Sequence, residues 1–161
     1  MLRSVNLEDY MISKPLTIQA DAPLFEAVDI ITSNQVSGLC VVDENGVLVG
    51  ILSELDCLRG ILCASYDHTS VGVVGDDMVS SNINFARATD DIIDVAADML
   101  AKGQRRRPVL GDNNRLIGQI TCRQILAAVR KLSRTRASED YQPTDTLSGQ
   151  QGYRLDQSPY R

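Results

Sequence analysis

The amino-acid sequence predicts an α/β (α+β) fold of two tandem β-α-β-β-α repeats that pack through their sheets with pseudo-two-fold symmetry. Three observations predict this fold: an internal repeat at a spacing of 68 residues, an amphipathic helix pattern in each copy, and a turn between two apolar segments in each copy. Neither copy could bury its own apolar surfaces alone, so the copies are expected to pack together. We divide the chain into a first repeat (1–62), a connector (63–75), a second repeat (76–132) and a polar tail (133–161).

The first helix of each repeat is indicated by apolar residues at positions i, i+3, i+4 and i+7, which share one face of an α-helix. In the two copies these residues are Leu24, Ala27, Val28 and Ile31, and then Ile92, Val95, Ala96 and Met99. A short strand at residues 16–18 is expected before the first of these helices. Ahead of the helices the spacing is 67, because Met11 and Ser13 match Met78 and Ser80.

Two strands joined by a turn are expected after each of these helices. In the first copy the strands begin at Leu39 and Val47, and Asn45-Gly46 favours a hairpin because both residues tolerate positive φ. In the second copy the turn covers residues 111–114, where asparagines serve the same purpose. A closing helix is predicted from Ser53 to about residue 62, and the Gly and Ser content of residues 63–75 is typical of a connector.

Composition and charge exclude several classes of protein. The net charge of −5 opposes binding to nucleic acid, because that affinity comes largely from neutralising phosphates. The apolar runs are too short for a membrane-spanning helix, which needs about 20 residues. The N-terminal residues lack the apolar segment of a secretory signal, and the four cysteines have no metal-like spacing, so a cytoplasmic location with free thiols is expected.

The sequence offers no catalytic constellation. It contains no nucleophile–base pair, no set of metal ligands and no phosphate-binding loop of the Walker type. Its only histidine, His68, lies in the connector, where a surface role is expected. We therefore predict a protein that is not an enzyme and that holds neither a metal nor a cofactor.

One short motif occurs in both copies, as GILSELD (residues 50–56) and GQITCRQ (residues 118–124). Each copy places a hydroxyl residue at a strand-to-helix junction, where it can accept a hydrogen bond from the first helical turn. Ser53 with Asp56, and Thr121 with Gln124, both resemble capping boxes, so a purely structural role stays open. The copies differ in charge, because Asp56 carries a carboxylate where Gln124 has a neutral amide.

The motif, its duplication and the order of elements resemble the CBS domain (named for cystathionine beta-synthase), whose tandem pair is called a Bateman module. The resemblance covers about residues 7–132, without any accompanying catalytic domain. It implies a regulatory module that binds an adenosine-containing ligand, usually as a homodimer. AMP, ADP or ATP is the expected ligand, with S-adenosylmethionine or NAD as alternatives, and the protein that the module regulates is unknown.

The resemblance also implies roles for particular residues. Ser53 would contact phosphate and Asp56 the ribose, while Arg105 and Arg106 of the second repeat would reach the same phosphates. Other first-repeat residues are expected to complete the nucleotide site: Thr17, Ile18, Ser37, Gly38, Leu39 and Ile51. Because Thr121 and Gln124 depart from the motif, a second, degenerate pocket is expected there.

Alternatives to this interpretation remain open at two levels. The three consecutive arginines at residues 105–107 could form a solvated strand edge, and the whole module could be a constitutive dimerisation scaffold with a vestigial pocket. Dimerisation is suggested by apolar residues on more than one face of the closing helices, Leu55, Leu58, Ile61 and Leu62 in one and Ile125, Leu126 and Val129 in the other. From Ser133 onward the sequence is polar, which predicts a disordered or extended tail.

Overall fold

The computed structural model describes residues 6–139 and contains five helices and five strands in that range. In chain order the elements are β1 (Thr17–Ile18), α1 (Leu24–Asn34), β2 (Gly38–Val42), β3 (Leu48–Ser53), α2 (Glu54–Tyr66), α3 (Val74–Asp77), α4 (Ile92–Ala101), β4 (Arg106–Leu110), β5 (Leu116–Thr121) and α5 (Cys122–Glu139). Two short 3-10 turns lie at Leu7–Asp9 and Asp112–Asn114. Within residues 6–139, no helix combines the length and the apolar composition needed to cross a membrane.

The first repeat contains a three-stranded sheet with the order β1-β2-β3. β1 runs parallel to β2, and β2 runs antiparallel to β3. The helical face predicted from periodicity packs on this sheet, because Leu24, Ala27 and Ile31 of α1 are buried with Leu39 and Leu52 of the strands. The turn between β2 and β3 closes at Gly46, whose φ of 77° suits glycine.

The second repeat has the same plan with a smaller sheet of β4 and β5. Its expected first strand is reduced to one parallel bridge between Ala86 and Val109. Ala86 still exchanges two hydrogen bonds with β4, to the Pro108 carbonyl and from the Leu110 amide, each 2.9 Å long. The turn before β5 places Asn113 and Asn114 at positive φ, as the asparagines there predicted.

The two repeats are joined by segments that cross from one copy onto the sheet of the other. Ile51 of β3 pairs with Val79, and Gln119 of β5 pairs with Ile12, which are equivalent contacts at the two repeat spacings. These symmetric pairings confirm the predicted pseudo-two-fold packing. The glycine of each motif lies under this crossing, because a Cβ at Gly50 or at the matching Gly118 would collide with the sulfur of a methionine in the crossing segment.

The residues before each first strand therefore belong structurally to the opposite copy. Leu7 is fully buried in the core of the second repeat, and its amide donates to the Asp90 carbonyl at 2.9 Å. Met78 packs against the core of the first repeat. The connector divides the two copies in the sequence. Each copy nevertheless contributes residues to the core of the other.

Three predicted boundaries differ from the structure. α2 continues to Tyr66, four residues beyond the predicted end, because Ala64 is buried and extends its packed face. The connector is not wholly irregular, since α3 occupies its end at Val74–Asp77. α5 continues to Glu139, so residues 133–139 are helical and not extended, while residues 140–161 of the predicted tail lie outside the described range.

Candidate functional site

A cavity of about 700 Å³ lies where the first repeat faces the crossing segment and the strand start of the second repeat. The first repeat contributes residues around the end of β3 and the start of α2, namely Ser37, Ile51, Ser53, Glu54, Leu55 and Asp56. The second repeat contributes Val79, Asn82, Ile83, Asn84, Gly103, Gln104, Arg105 and Arg106. The cavity therefore brings together both charged halves of the site predicted from the sequence.

Ser53 and Asp56 form a complete capping box at the start of α2. The Asp56 carboxylate accepts from the Ser53 amide at 2.8 Å and from the Ser53 hydroxyl at 2.6 Å, and the Asp56 amide donates to the Ser53 Oγ at 3.2 Å. This network terminates the strand and begins the helix, as the structural interpretation of the motif expected. It also fixes the carboxylate of Asp56, a residue that is 7% exposed, in the cavity wall.

Further charged groups surround the Asp56 carboxylate. Arg59, one turn along α2, donates to Asp56 Oδ1 at 3.2 Å, and its own side chain is 64% exposed. Asp77 of α3 lies against the helix at Gly60. Burial, followed by the nearby Asp76 carboxylate, raises the pKa of Asp77 above its ordinary value, while Arg59 acts in the opposite direction. Arg59 is thus the cation that balances this acidic side of the site.

Arg106 connects the two repeats at the cavity. Its guanidinium donates to the Gly38 carbonyl oxygen and to the Ser37 hydroxyl, both of the first repeat. Burial lowers the pKa of Arg106 below its ordinary value, although arginine remains charged in proteins. The arginine run is therefore not a uniformly solvated edge, because Arg106 is half-buried and Arg107 is buried.

Arg105 and Glu54 are the exposed charges of the cavity. The Glu54 amide donates to the Ser37 carbonyl at 3.1 Å, which places the start of α2 beside the residue that also accepts from Arg106. The two cations Arg105 and Arg106 face the anions Glu54 and Asp56, and Arg59 pairs with Asp56. The cavity therefore has a positive wall from one repeat and a negative wall from the other.

Four of the predicted site residues lie elsewhere. Ile18 and Leu39 are buried in the core of the first repeat. Thr17 lies on β1, which is separated from β3 and the Ser53 junction by β2. Gly38 does not line the cavity; it is needed for a close approach, because a Cβ there would collide with the backbone carbonyl of Leu52.

In place of Thr17 and Ile18, the cavity is lined by Val79, Asn82, Ile83 and Asn84 of the second repeat. Those residues and the pair Gly103 and Gln104 were not identified from the sequence. The available signal was the spacing of 67, under which residues 11–17 of the first copy correspond to 78–84 of the second. It could not show that the segment crosses to the opposite sheet, because that crossing depends on the packing of the repeats.

The structure also describes Thr121 and Gln124, where the second pocket is expected. The Thr121 hydroxyl donates to the Gln124 Oε1, so this pair is joined within itself as Ser53 and Asp56 are. The site lacks a carboxylate at position 124. Whether a ligand enters there stays a prediction. Within residues 6–139 the structure contains no group of three or more His, Cys, Asp or Glu side chains arranged to hold a metal ion.

Comparison with known proteins identifies the family. The CBS domain family matches the chain twice, at residues 7–63 and 74–131, and the chain therefore belongs to the CBS domain family as a tandem pair. The transcriptional repressor CcpN of Bacillus subtilis is 30% identical over 123 residues, which are 74% of this chain and 57% of CcpN. Inosine-5'-monophosphate dehydrogenase of Nitrosopumilus maritimus is 32% identical over 116 residues, 71% of this chain and 22% of the enzyme. The chain thus spans less than two thirds of the length of these relatives.

Solved structures share the fold. CBSX2 in complex with AMP superposes with a TM-score of 0.73 at 27% identity, covering 81% of this chain and 100% of CBSX2. The CBS domain pair of protein MJ0100, in complex with 5'-methylthioadenosine and S-adenosyl-L-methionine, superposes with a TM-score of 0.67 at 24% identity, covering 77% of this chain and 98% of that one. The second similarity is evidence of the fold alone.

Proposed function

We propose that this chain is a regulatory module that binds one adenine nucleotide of the AMP, ADP or ATP type between its repeats and thereby changes its fit to a protein partner. The observation that carries the proposal is the placement of Ser53 and Asp56 from one repeat and Arg105 and Arg106 from the other around one cavity. A ribose needs an acceptor for its hydroxyls, and a phosphate needs cations and N–H donors. The AMP found in CBSX2 supports a ligand of this class.

Asp56 is suited to the ribose because its carboxylate has acceptor capacity to spare. A carboxylate accepts at about four positions, and three hydrogen bonds, from the Ser53 amide, the Ser53 hydroxyl and Arg59, occupy Asp56 in this structure. The Arg59 side chain is mostly exposed, so its guanidinium stays hydrated when it moves away from Oδ1. One ribose hydroxyl would use the unoccupied position and the second would replace Arg59.

The phosphate would lie between the start of α2 and the arginines. A helix N-terminus favours anions through its unpaired N–H groups and its dipole, and α2 begins in the cavity wall at Ser53. Arg105 supplies an exposed positive charge. Arg106 already donates hydrogen bonds to Gly38 and Ser37. To contact the phosphate, it would have to exchange one or more of these hydrogen bonds.

Regulation would follow from the location of the ligand between the repeats. A ligand that contacts both repeats stabilises the arrangement in which both walls are correctly spaced, and it shifts the population of the chain toward that arrangement. A protein partner that recognises only one arrangement would then respond to the nucleotide. We place this activity in the cytoplasm, where adenine nucleotides are available.

A constitutive scaffold is the second candidate, and one observation favours it. The polar groups expected to bind nucleotide are already satisfied within the protein, Ser53 and Asp56 by each other and Arg106 by Ser37 and Gly38. A pocket that had lost its ligand would have this appearance. The nucleotide proposal differs in requiring that ligand binding exchanges some of these contacts.

A thermal-shift series separates the two candidates. We expect AMP, ADP or ATP, at about 100 times its dissociation constant, to stabilise the folded chain by roughly 2.7 kcal/mol, which raises the melting temperature by several degrees. S-adenosylmethionine and NAD belong in the same series as alternative ligands of the cavity. A melting temperature that no compound of the series changes would favour the scaffold.

We also propose that the module is a homodimer. α2 and α5 carry exposed apolar side chains at equivalent positions, including Leu58 and Leu126, which are 53% and 70% exposed. Leu55 and Leu62 of α2 and Val129 of α5 are also exposed, and an isologous dimer would cover these apolar side chains.

Light scattering at micromolar concentration tests the dimer. We expect twice the chain mass for the wild type and the chain mass for Leu58→Asp, because a carboxylate in an apolar interface is unpaired and poorly hydrated. Ile93→Asp is the matched control, since Ile93 is equally exposed but lies on α4. A monomeric wild type would contradict the proposal.

A further inference from the structure

A network of charged and amide side chains lies behind the second-repeat wall of the cavity. Asp98 Oδ2 on α4 accepts from Lys102 Nζ at 2.9 Å and from Arg107 Nη1 at 2.5 Å. Each of these cations also donates to an amide oxygen. Lys102 Nζ contacts Asn84 Oδ1 at 3.0 Å, and Arg107 Nη2 contacts Gln104 Oε1 at 2.5 Å. Asn84 and Gln104 both line the cavity.

The chemistry of the network fixes how the two amides are oriented. Lysine and arginine side chains carry donors and no acceptors, so each must meet the oxygen of its amide partner. The amide nitrogens of Asn84 and Gln104, each with two N–H donors, then take no part in the network. No hydrogen bond from either nitrogen is present among the described residues. Both residues line the cavity, and the amide nitrogen is the donor that the network leaves available on each of them.

The network belongs to one repeat only. At the repeat spacing of 68, the counterparts of Asp98, Gln104 and Arg107 are Ile30, Val36 and Leu39, all apolar. Leu39 is fully buried in the core of its repeat, and the Arg107 side chain that replaces it is 5% exposed. Paired buried charges often stabilise a protein no better than apolar residues would, and Arg107 also leaves its buried Nε without a partner. Stability alone therefore does not account for an arginine at this position.

We propose that Asn84 and Gln104 are specificity-determining residues of the cavity, whose amide nitrogens donate to acceptor atoms of the bound ligand. Asp98 is the positioning residue, acting through Lys102 and Arg107. This inference rests on the proposed nucleotide-binding function and adds that the ligand presents acceptors to this wall. A nucleotide has two sources of such acceptors, the ring nitrogens of its base and the oxygens of its phosphate.

Exchange of each amide for the carboxylate of the same size tests the inference. Asn84→Asp and Gln104→Glu retain the oxygen that meets Lys102 or Arg107, so the network and the fold are kept, but the donor becomes an acceptor. We expect calorimetry to show AMP binding weakened about 10-fold or more by either change, since a hydrogen bond is lost and two acceptors oppose each other. Asn82→Asp, which adds the same charge to the same wall outside the network, is the matched control and should change binding less than threefold.

Titration with both AMP and adenosine distinguishes the two sources of acceptors. A loss of affinity for both compounds places the base against the amides, and a loss for AMP alone places the phosphate there. If wild type binds and neither variant changes either affinity by more than twofold, the inference is wrong while the proposed function stands. If wild type binds neither compound, both are contradicted.

The positioning role of Asp98 is tested by non-additivity. Asp98→Asn should weaken AMP binding in the wild-type background and should have a smaller further effect once Gln104 is Glu, because Asp98 then acts only through Lys102 and Asn84. Asp98→Glu, which restores a carboxylate, should recover most of the affinity. Additive losses in the double variant would show that Asp98 has only a general structural role.

Discussion

Asp56→Ala is expected to weaken AMP binding by about 10- to 150-fold, the largest single effect that the proposed site predicts. The substitution removes a hydrogen bond between an ionised carboxylate and the ribose, which contributes about 1.5 to 3 kcal/mol. Calorimetry of the folded protein measures this change directly and also reports the number of sites, which we expect to be one per chain.

Two companion variants separate binding from folding in that experiment. Because Asp56 also accepts from the Ser53 amide, Asp56→Ala should cost roughly 1 kcal/mol of stability through the weakened helix cap. Asp56→Asn keeps an oxygen for the cap but loses the charge, so it should recover stability more than affinity. Gln124→Ala, at the equivalent position of the second repeat, should leave AMP binding unchanged. Equal losses in the Asp56 and Gln124 variants would contradict the asymmetric site.

Replacement of both Arg105 and Arg106 by alanine is expected to weaken AMP, ADP and ATP binding about 10-fold or more while changing adenosine binding much less. The arginines contribute charge-assisted hydrogen bonds, worth about 1.5 to 3 kcal/mol each when formed to a phosphate, and adenosine has no phosphate. The difference should shrink as salt is added, because charges exposed to solvent are screened over about 10 Å at 0.1 M.

The two arginines require separate controls. Arg106 holds Ser37 and Gly38 of the first repeat, so its loss also weakens contact between the repeats and should lower the melting temperature. Arg105 is exposed, and Arg105→Ala alone should reduce phosphate recognition without that loss of stability. Arg123→Ala, an exposed arginine of α5 that does not line the cavity, should change neither property. A double variant that loses adenosine and ATP equally would show that the arginines do not read phosphate.

Local sequence patterns were sufficient for most of the fold. The apolar spacing located α1 and α4, and the duplicated motif located both strand-to-helix junctions, because helix periodicity and capping depend on residues a few positions apart. The helix ends were less well predicted. α2 continues past the predicted end with Ala64 buried, and α5 continues into a segment of polar composition, so local composition gave no signal of where either helix ends.

Only part of the candidate site could be predicted, because local patterns do not show which distant segments meet. Ser53, Asp56, Arg105 and Arg106 could be paired across the repeats because the resemblance to a known family linked their motifs. Asn84 and Gln104 could not be assigned to the site from the sequence. Asn84 reaches the cavity on a segment that crosses between the repeats, and Gln104 is held by Arg107, a buried arginine where the first repeat has Leu39. Such non-local packing has no short-range signature in one sequence.

A crystal structure of the chain with AMP tests the central claim most directly. We predict one AMP per chain in the cavity between the repeats, with a ribose hydroxyl within hydrogen-bond distance of the Asp56 carboxylate and the phosphate beside Ser53 and Arg105. AMP bound instead at Thr121 and Gln124, or a cavity that stays empty at saturating AMP with the Ser53–Asp56 and Arg106–Ser37 contacts unchanged, would contradict it.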